Sequence, residues 1–246
     1  MMADQSGRSV VVVADAEALS RQAAPWIAQT LAAAAAARGQ CSVALSGGST
    51  PRRTHELLAA PPLCDVVPWE RLHLFWGDER CVPPDDPDSN YRMAEESLLS
   101  RVPIPNRNVH RVPTELGAPV AVAAHYEREL RSHFGLEVED APVFDLILLG
   151  MGPDGHTASL FPGGPAVQEE RRLVVPSEID YMPHPRVTFT LPVLNAARAV
   201  AFLVAGRDKA PALAKALAED PSVPAGRVRP TAGELRWYVD RAAAGQ

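Results

Sequence analysis

The chain has 246 residues, of which 46% are hydrophobic and 22% are charged, an ordinary composition for a globular protein that buries a sizeable core. Its formal net charge is -6 at pH 7, which argues against a surface for nucleic-acid phosphates but leaves room for a local pocket that holds a small anion. No apolar run approaches the roughly 20 residues of a membrane span, so no membrane partner is expected.

The N-terminal segment MMADQSGRSVVVVAD lacks a signal-peptide pattern, because its apolar run is short and Asp15 ends it. The three cysteines, Cys41, Cys64 and Cys81, have no CxxC spacing and are interpreted as reduced thiols. We therefore expect a cytoplasmic protein.

An alanine-rich helix is predicted over residues 16–38, with Asp15 as its cap and Gly39 as its stop. Pro25 inside it is a candidate start for a second helix. Buried strands are predicted at residues 10–14, 42–45, 72–76, 144–149, 187–191 and 199–204. The remaining helices are predicted at residues 50–58, 89–99, 120–134 and 208–218.

This alternation predicts an α/β fold with a mainly parallel, Rossmann-like sheet and helices on both faces. We expect one domain over residues 1–246, with a small subregion around residues 160–190. Ligands of such sheets bind outside the carboxyl ends of the strands, so the residues that follow each strand are the candidate site.

The first of these junctions, SGGSTP, follows the strand at 42–45 and precedes a helix. Gly47 and Gly48 allow a tight turn, Ser49 and Thr50 add hydroxyl donors, and the helix N-terminus favours an anion, so the segment from Ser46 to Thr50 is a candidate phosphate site. A plain strand–turn–helix connection with a serine cap is the alternative. The segment is neither a Walker A loop nor GxGxxG, and the chain has no GxSxG elbow.

The second junction places Asp78, Glu79 and Arg80 after the strand at 72–76. An arginine at a strand mouth can stabilise an oxyanion or hold a carboxylate, whereas the alternative is an ion cluster at the surface. Asp88 or Ser89 is expected to cap the helix that follows.

The third junction is GMGPDGHTASLFP, after the strand at 144–149. Its glycines and proline impose a specific loop path, and Asp154 can orient the ring of His156 for general acid–base work. A structural histidine is the alternative. The other six histidines (His55, His73, His110, His125, His133 and His184) lack such a context and are interpreted as surface or packing residues. Because no HExxH or other ligand-spaced pair occurs, no metal is expected.

Together, these segments resemble the 6-phosphogluconolactonase family. The similar blocks are ALSGGSTPRRTHELL (44–58), FWGDERCVPPDDPDSNYRMAEESLL (75–99), FDLILLGMGPDGHTASLFPG (144–163), RVTFTLPVLNAAR (186–198) and GRDKA (206–210). They occur in the order found in that family. The related glucosamine-6-phosphate deaminases share the glycine loop and the GxGxDGH segment, but Arg80, the TASLFP continuation and TLPVLNAA favour the lactonase.

The resemblance implies hydrolysis of 6-phospho-D-glucono-1,5-lactone to 6-phosphogluconate without cofactor or metal. It implies His156 as general base for water, oriented by Asp154, and Arg80 as oxyanion partner. Lys209 and Arg186 would join the glycine loop at the phosphate, although a salt bridge beside a strand is an alternative for Arg186. Asp78 and Gly155 are assigned to further substrate contacts.

The expected partner is therefore the small-molecule lactone, bound by a monomer or weak homo-oligomer. Two other functions compete with this interpretation. One is a sugar-phosphate isomerase or deaminase of the glucosamine-6-phosphate type. The other is a non-catalytic sugar-phosphate-binding regulator, which the missing basic patch and helix-turn-helix disfavour.

Overall fold

The computed structural model of the chain describes residues 2–3, 8–180 and 182–246. Residues 1 and 4–7 belong to the segment in which we expect no signal peptide, and they lie, like residue 181, outside the described residues. No helix within the described ranges is long and apolar enough to cross a membrane.

The regular structure combines short strands with helices of very different lengths. The strands are, in chain order, β1 (Met2–Ala3), β2 (Arg8–Val13), β3 (Cys41–Leu45), β4 (Leu72–Trp76), β5 (Asp78–Arg80), β6 (Leu146–Leu149), β7 (Val174–Ser177), β8 (Arg186–Phe189), β9 (Ala199–Val204) and β10 (Glu234–Asp240). The α-helices are α1 (Ala16–Arg38), α2 (Ser49–Leu58), α3 (Asn90–Ser97), α4 (Pro119–Phe134), α5 (Leu191–Ala196) and α6 (Ala210–Leu217).

The large sheet has the strand order β1-β2-β10-β9-β6-β3-β4, and every neighbouring pair is parallel except β1 with β2. All residues of β3, β6 and β9 are buried, so both faces of the central sheet are covered. These features confirm the α/β fold with a mainly parallel sheet.

The C-terminal strand β10 lies inside this sheet, between β2 and β9, although no strand is predicted there from the sequence. Glu234 and Arg236 interrupt its apolar residues, which weakens the local signal. Their neighbours Leu235 and Trp237 are buried, and helix α1 packs on this strand. Position in the sheet, which the local pattern does not contain, makes this segment a central strand.

A second sheet is small and antiparallel, with the order β5-β8-β7. Two of its strands fall in the subregion expected around residues 160–190, but the third, β5, comes from the DER segment. The strand predicted at 187–191 ends earlier, at Phe189, because Leu191 already begins α5 and Pro192 occupies the first turn of that helix. Buried residues of both sheets belong to one hydrophobic cluster, and the one-domain organisation remains a prediction.

Helix α1 confirms the predicted bounds of 16–38. Asp15 Oδ1 accepts from the backbone N–H of Ala18 at 2.8 Å, and Gly39 ends the helix in the left-handed conformation at φ 81°. The suggested second start at Pro25 is wrong, since the helix runs through it. Strong alanine propensity and a buried face around Ile27 offset the roughly 3 kcal/mol cost of an internal proline.

The segments that contain most of the predicted site residues follow strands of the large sheet, at the carboxyl ends of those strands. The chain enters α2 after β3, β5 after β4, the histidine loop after β6, and α6 after β9. Because parallel strands point the same way, these exits meet at one end. The helices predicted at 89–99 and 208–218 are shorter than expected, and Ser89 rather than Asp88 caps α3 by accepting from Arg92 N at 3.2 Å.

Candidate active site

A pocket of about 270 Å³ lies where the segments after β3, β4, β6 and β9 meet. It brings together almost every residue predicted for the site from the sequence. The predicted residues that line it are Ser46, Gly47, Gly48, Ser49, Thr50, Asp78, Arg80, His156, Arg186 and Lys209. The other two predicted residues, Asp154 and Gly155, are not among the residues that line the pocket.

The glycine turn requires both of its glycines. Gly48 has φ 112° and precedes α2 without a side-chain cap, so the first N–H groups of the helix lack a cap of that kind. A Cβ on Gly47 would lie 1.9 Å from Asn90 Oδ1, so a larger residue would force the buried Asn90 side chain to move. The turn therefore presents uncapped helical N–H groups at the pocket, which suits an anion.

Asn90 and Asp78 connect the glycine turn to the rest of the site. Asn90 Nδ2 donates to the carbonyl oxygen of Asp78 at 2.9 Å. The buried carboxylate of Asp78 accepts from Ser159 Oγ at 2.7 Å. Asp78 thus joins the second junction to the histidine loop, and Asn90 and Ser159 are site residues that sequence reasoning missed.

Glu79 organises the segment that carries Arg80. It is buried, and its carboxylate accepts from the backbone N–H groups of Arg80, Asn90 and Tyr91, each at 2.8 Å, and from Ser89 Oγ at 3.2 Å. Burial raises the pKa of the Glu79 carboxyl, and these backbone donors oppose that shift. The second junction is therefore held by a buried, hydrogen-bonded carboxylate and is not an ion cluster at the surface.

Two arginines lie opposite each other on the neighbouring strands β5 and β8. Arg80 pairs in register with Arg186, and within the described chain the Nε atoms of both are buried without a hydrogen-bond partner. Burial lowers the pKa of Arg186. Like charges opposite each other are unfavourable, so two guanidinium groups with unused donors in one pocket point to an anionic ligand.

His156 and Asp154 form a dyad at the pocket. The two atoms His156 Nδ1 and Asp154 Oδ1 are 2.6 Å apart, and a carboxylate only accepts, so Nδ1–H donates to it. The imidazole ring also packs against Phe161, with centroids 4.7 Å apart. This arrangement leaves Nε2 as the unprotonated nitrogen of the neutral ring, which is the form needed by a general base.

The loop around the dyad is closed by its own backbone. Gly152 N–H donates to His156 O at 2.9 Å, and Thr157 Oγ1 donates to Gly150 O at 2.8 Å. Gly155 has φ 84° and packs so closely on Val223 that a Cβ would lie 2.6 Å from it. It is not among the residues that line the pocket, and its contact with substrate stays a prediction.

Lys209 reaches the pocket from the short 3₁₀ turn Arg207–Lys209 that precedes α6. Its Nζ lies 3.1 Å from Asp208 Oδ2, and its side chain is only 21% exposed. A compact positive charge is thereby held in the lining of the same pocket as the glycine turn and the two arginines.

Comparison with known proteins gives a consistent result. The family described as glucosamine-6-phosphate isomerases/6-phosphogluconolactonase matches residues 14–237. A 6-phosphogluconolactonase of Nostoc sp. is 44% identical over 239 residues, covering 96% of this chain and 97% of that protein. One of Synechocystis sp. is 45% identical over 237 residues, covering 95% and 96%.

The fold has the same relatives. The solved structure of 6-phosphogluconolactonase from Trypanosoma brucei has a TM-score of 0.87 and 32% identity, covering 97% of this chain and 98% of that one.

Proposed function

The chain belongs to the 6-phosphogluconolactonase family within the glucosamine-6-phosphate isomerase superfamily, and from this membership we propose how its pocket works. The reaction is hydrolysis of 6-phosphogluconolactone to 6-phosphogluconate, a step of the pentose phosphate pathway. The substrate form is the 1,5-lactone. The observation that carries the residue roles is the His156–Asp154 dyad, which shares one pocket with an anion turn and two arginines.

The phosphate of the substrate binds at the glycine turn from Ser46 to Thr50. The N-terminus of α2 supplies backbone donors and partial positive charge, and Lys209, which lines the same pocket, adds a full charge. Arg186 contributes a further charged donor group, because it lines the same pocket. These contacts bind substrate and product alike and should govern KM.

His156 acts as general base on the attacking water. Its Nε2 takes one proton as the water oxygen bonds to the lactone carbonyl carbon, and Asp154 stabilises the imidazolium that forms. Arg80 donates to the carbonyl oxygen, which becomes negative. When the ring C–O bond breaks, His156 returns the proton to the departing ring oxygen, which becomes a hydroxyl group.

Asp78 positions this machinery through Ser159 and Asn90 and does not need to touch the substrate. No step of this scheme calls for a metal or an organic cofactor, because a lactone is an activated ester. We also propose a cytoplasmic location, supported by three free cysteines. The monomer or weak homo-oligomer stays a prediction.

The test is His156→Ala, assayed promptly with freshly generated lactone and 6-phosphogluconate dehydrogenase as the coupling enzyme. After the rate of spontaneous lactone hydrolysis has been subtracted, loss of the base should lower kcat by about 10²–10⁴-fold. The matched control is His125→Ala, since His125 is exposed on α4 away from the pocket. Near-normal turnover by His156→Ala would overturn the assignment. Ammonia release from glucosamine 6-phosphate by the wild-type protein would favour the deaminase instead.

A further inference from the structure

Three histidines from distant parts of the chain converge on the far side of the molecule from the candidate active site. His73 lies on β4, His110 follows the 3₁₀ turn Asn106–Asn108, and His133 lies in the last turn of α4. One ring nitrogen from each lies within 4.8 Å of the other two. Nothing in the lactonase mechanism uses them.

We propose that His73, His110 and His133 bind one divalent transition-metal ion of the Zn²⁺ type. His73 Nδ1 and His110 Nε2 are 3.1 Å apart. Two nitrogens bound to the same tetrahedral zinc at 2.0–2.1 Å are separated by about 3.3 Å, so this pair already has ligand spacing. The His133 ring, centred 4.5 Å from that of His73, has to approach by at most about 1.5 Å to complete the set.

Glu129 fixes the orientation of the central ligand. The His110 Nδ1–H donates to Glu129 Oε1 at 2.8 Å, which leaves Nε2 unprotonated and directed at His73. A carboxylate behind a ligating histidine is the usual outer support of a zinc site. The His110 ring also stacks on Phe75, with centroids 4.3 Å apart and planes 5° from parallel.

The metal would replace a single hydrogen bond. Because Glu129 holds the proton of His110 on Nδ1, the contact between the rings is a donation from His73 Nδ1–H to His110 Nε2. To bind the ion through Nδ1, the His73 ring has to carry its proton on Nε2 instead. The ion then occupies the position of the bridging proton, and both rings stay neutral.

The cluster is also accessible. His73 and His133 line a pocket of about 210 Å³ that offers an entry path and room for a water ligand. The charged groups beside them in this pocket are Asp145, Arg38 and Arg198, and Asp145 Oδ1 lies 2.6 Å from Arg38 Nη2 and 3.6 Å from Arg198 Nε, so one carboxylate serves two arginines and a net positive charge remains that the metal–nitrogen bonds must outweigh.

The position indicates a stabilising role. The pocket is lined by Cys41, the first residue of β3. The pocket therefore lies at the amino ends of the strands, opposite the candidate active site. A metal here would tie β4, which is the edge strand of the large sheet, to the C-terminus of α4. Metal binding to the native state raises the apparent stability by mass action.

The experiment titrates the chelator-treated full-length protein with Zn²⁺ against a chromophoric competitor and records Tm with and without the ion. We expect one tight site and a Tm rise of about 5–10 °C at one hundred times Kd. The decisive variant is His133→Phe, which keeps an aromatic ring next to Phe75 and Phe134 but removes the ligand nitrogen. Its affinity for Zn²⁺ should fall by at least about 100-fold, and that of Glu129→Gln by about 10-fold.

Two controls separate this site from others. His125→Asn, exposed on the same helix, should keep both the affinity and the Tm shift. His156→Asn should keep them as well, and loss of the tight site in that variant would place the ion in the catalytic pocket. Unchanged Zn²⁺ affinity in His133→Phe, or no saturable binding by the wild type, would show that the three rings only pack together and would overturn the proposal.

Discussion

Gly152→Ala tests whether the geometry of the dyad limits the reaction. Gly152 has no positive φ, so its backbone tolerates alanine, but the added Cβ would lie 2.1 Å from His156 Nδ1 and 2.6 Å from Asp154 Oδ1. Non-bonded atoms need about 3.5 Å, so the ring must move by about 1.4 Å and the carboxylate by about 0.9 Å. Phe161 packs against the ring and limits where it can go. The 2.6 Å hydrogen bond is therefore lost.

A displacement of this size costs about 100-fold in kcat, or about 2.7 kcal/mol of transition-state stabilisation. KM should stay near the wild-type value, because the anion turn is untouched. The coupled lactone assay measures both constants, and thermal unfolding should show a cooperatively folded variant whose Tm is lowered by about 2–12 °C by the overpacked loop.

The matched control is Gly77→Ala, since its Cβ would meet only Leu45 O at an ordinary 3.7 Å. It should retain the wild-type kcat. If Gly152→Ala lost less than about fivefold in kcat, dyad alignment would not be rate-determining, and the role given to Asp154 would be wrong.

Three further substitutions probe stability and binding. His55 is fully buried with a pKa lowered to about 4 from 6.5, so its neutral form stabilises the fold above pH 6.5 and that stabilisation is lost as the pH falls toward 4. His55→Leu should therefore reduce the loss of unfolding free energy between pH 7 and 4.5 by about 2–3 kcal/mol, measured by urea unfolding at both pH values. Glu79→Gln replaces one carboxylate oxygen by an NH₂ group, which is itself a donor and cannot accept from backbone N–H groups such as that of Asn90. This substitution should lower Tm, measured by calorimetry, by about 6–12 °C. Lys209→Ala should raise KM by about tenfold or more with kcat unchanged, and a change confined to kcat in steady-state kinetics would contradict phosphate binding.

Much of the fold follows from local pattern. The strands at 72–76 and 199–204 and the helix at 16–38 have the predicted bounds, because each is a long apolar or alanine-rich run with clear end signals. Strand β10 was missed because its charged residues alternate with apolar ones near the chain end. Strands β5 and β7 are too short to carry a periodic signal, and pairing with β8 makes them strands.

Some residues of the candidate site could also be identified from the sequence, whereas others could not. The glycine turn and the His156–Asp154 dyad could be identified from the sequence, because their partners lie within a few residues. Asn90 and Ser159 could not, since their roles arise from contacts with Asp78 across 12 and 81 residues of chain. A local reading of Ser89–Tyr91 shows only a helix entry, and its second role as a donor set for Glu79 appears only in three dimensions.

Sequence alone thus determined the fold class, the loops at the strand ends and the candidate catalytic histidine, because propensity, turn chemistry and short-range pairs are encoded over a few residues. Tertiary structure alone decided the opposition of Arg80 and Arg186, the burial of Glu79 and the meeting of His73, His110 and His133. Spacing along the chain predicts metal ligands only when they share one turn or loop. Segments as distant as these are brought together by the packing of the whole sheet and its helices, which no local pattern contains.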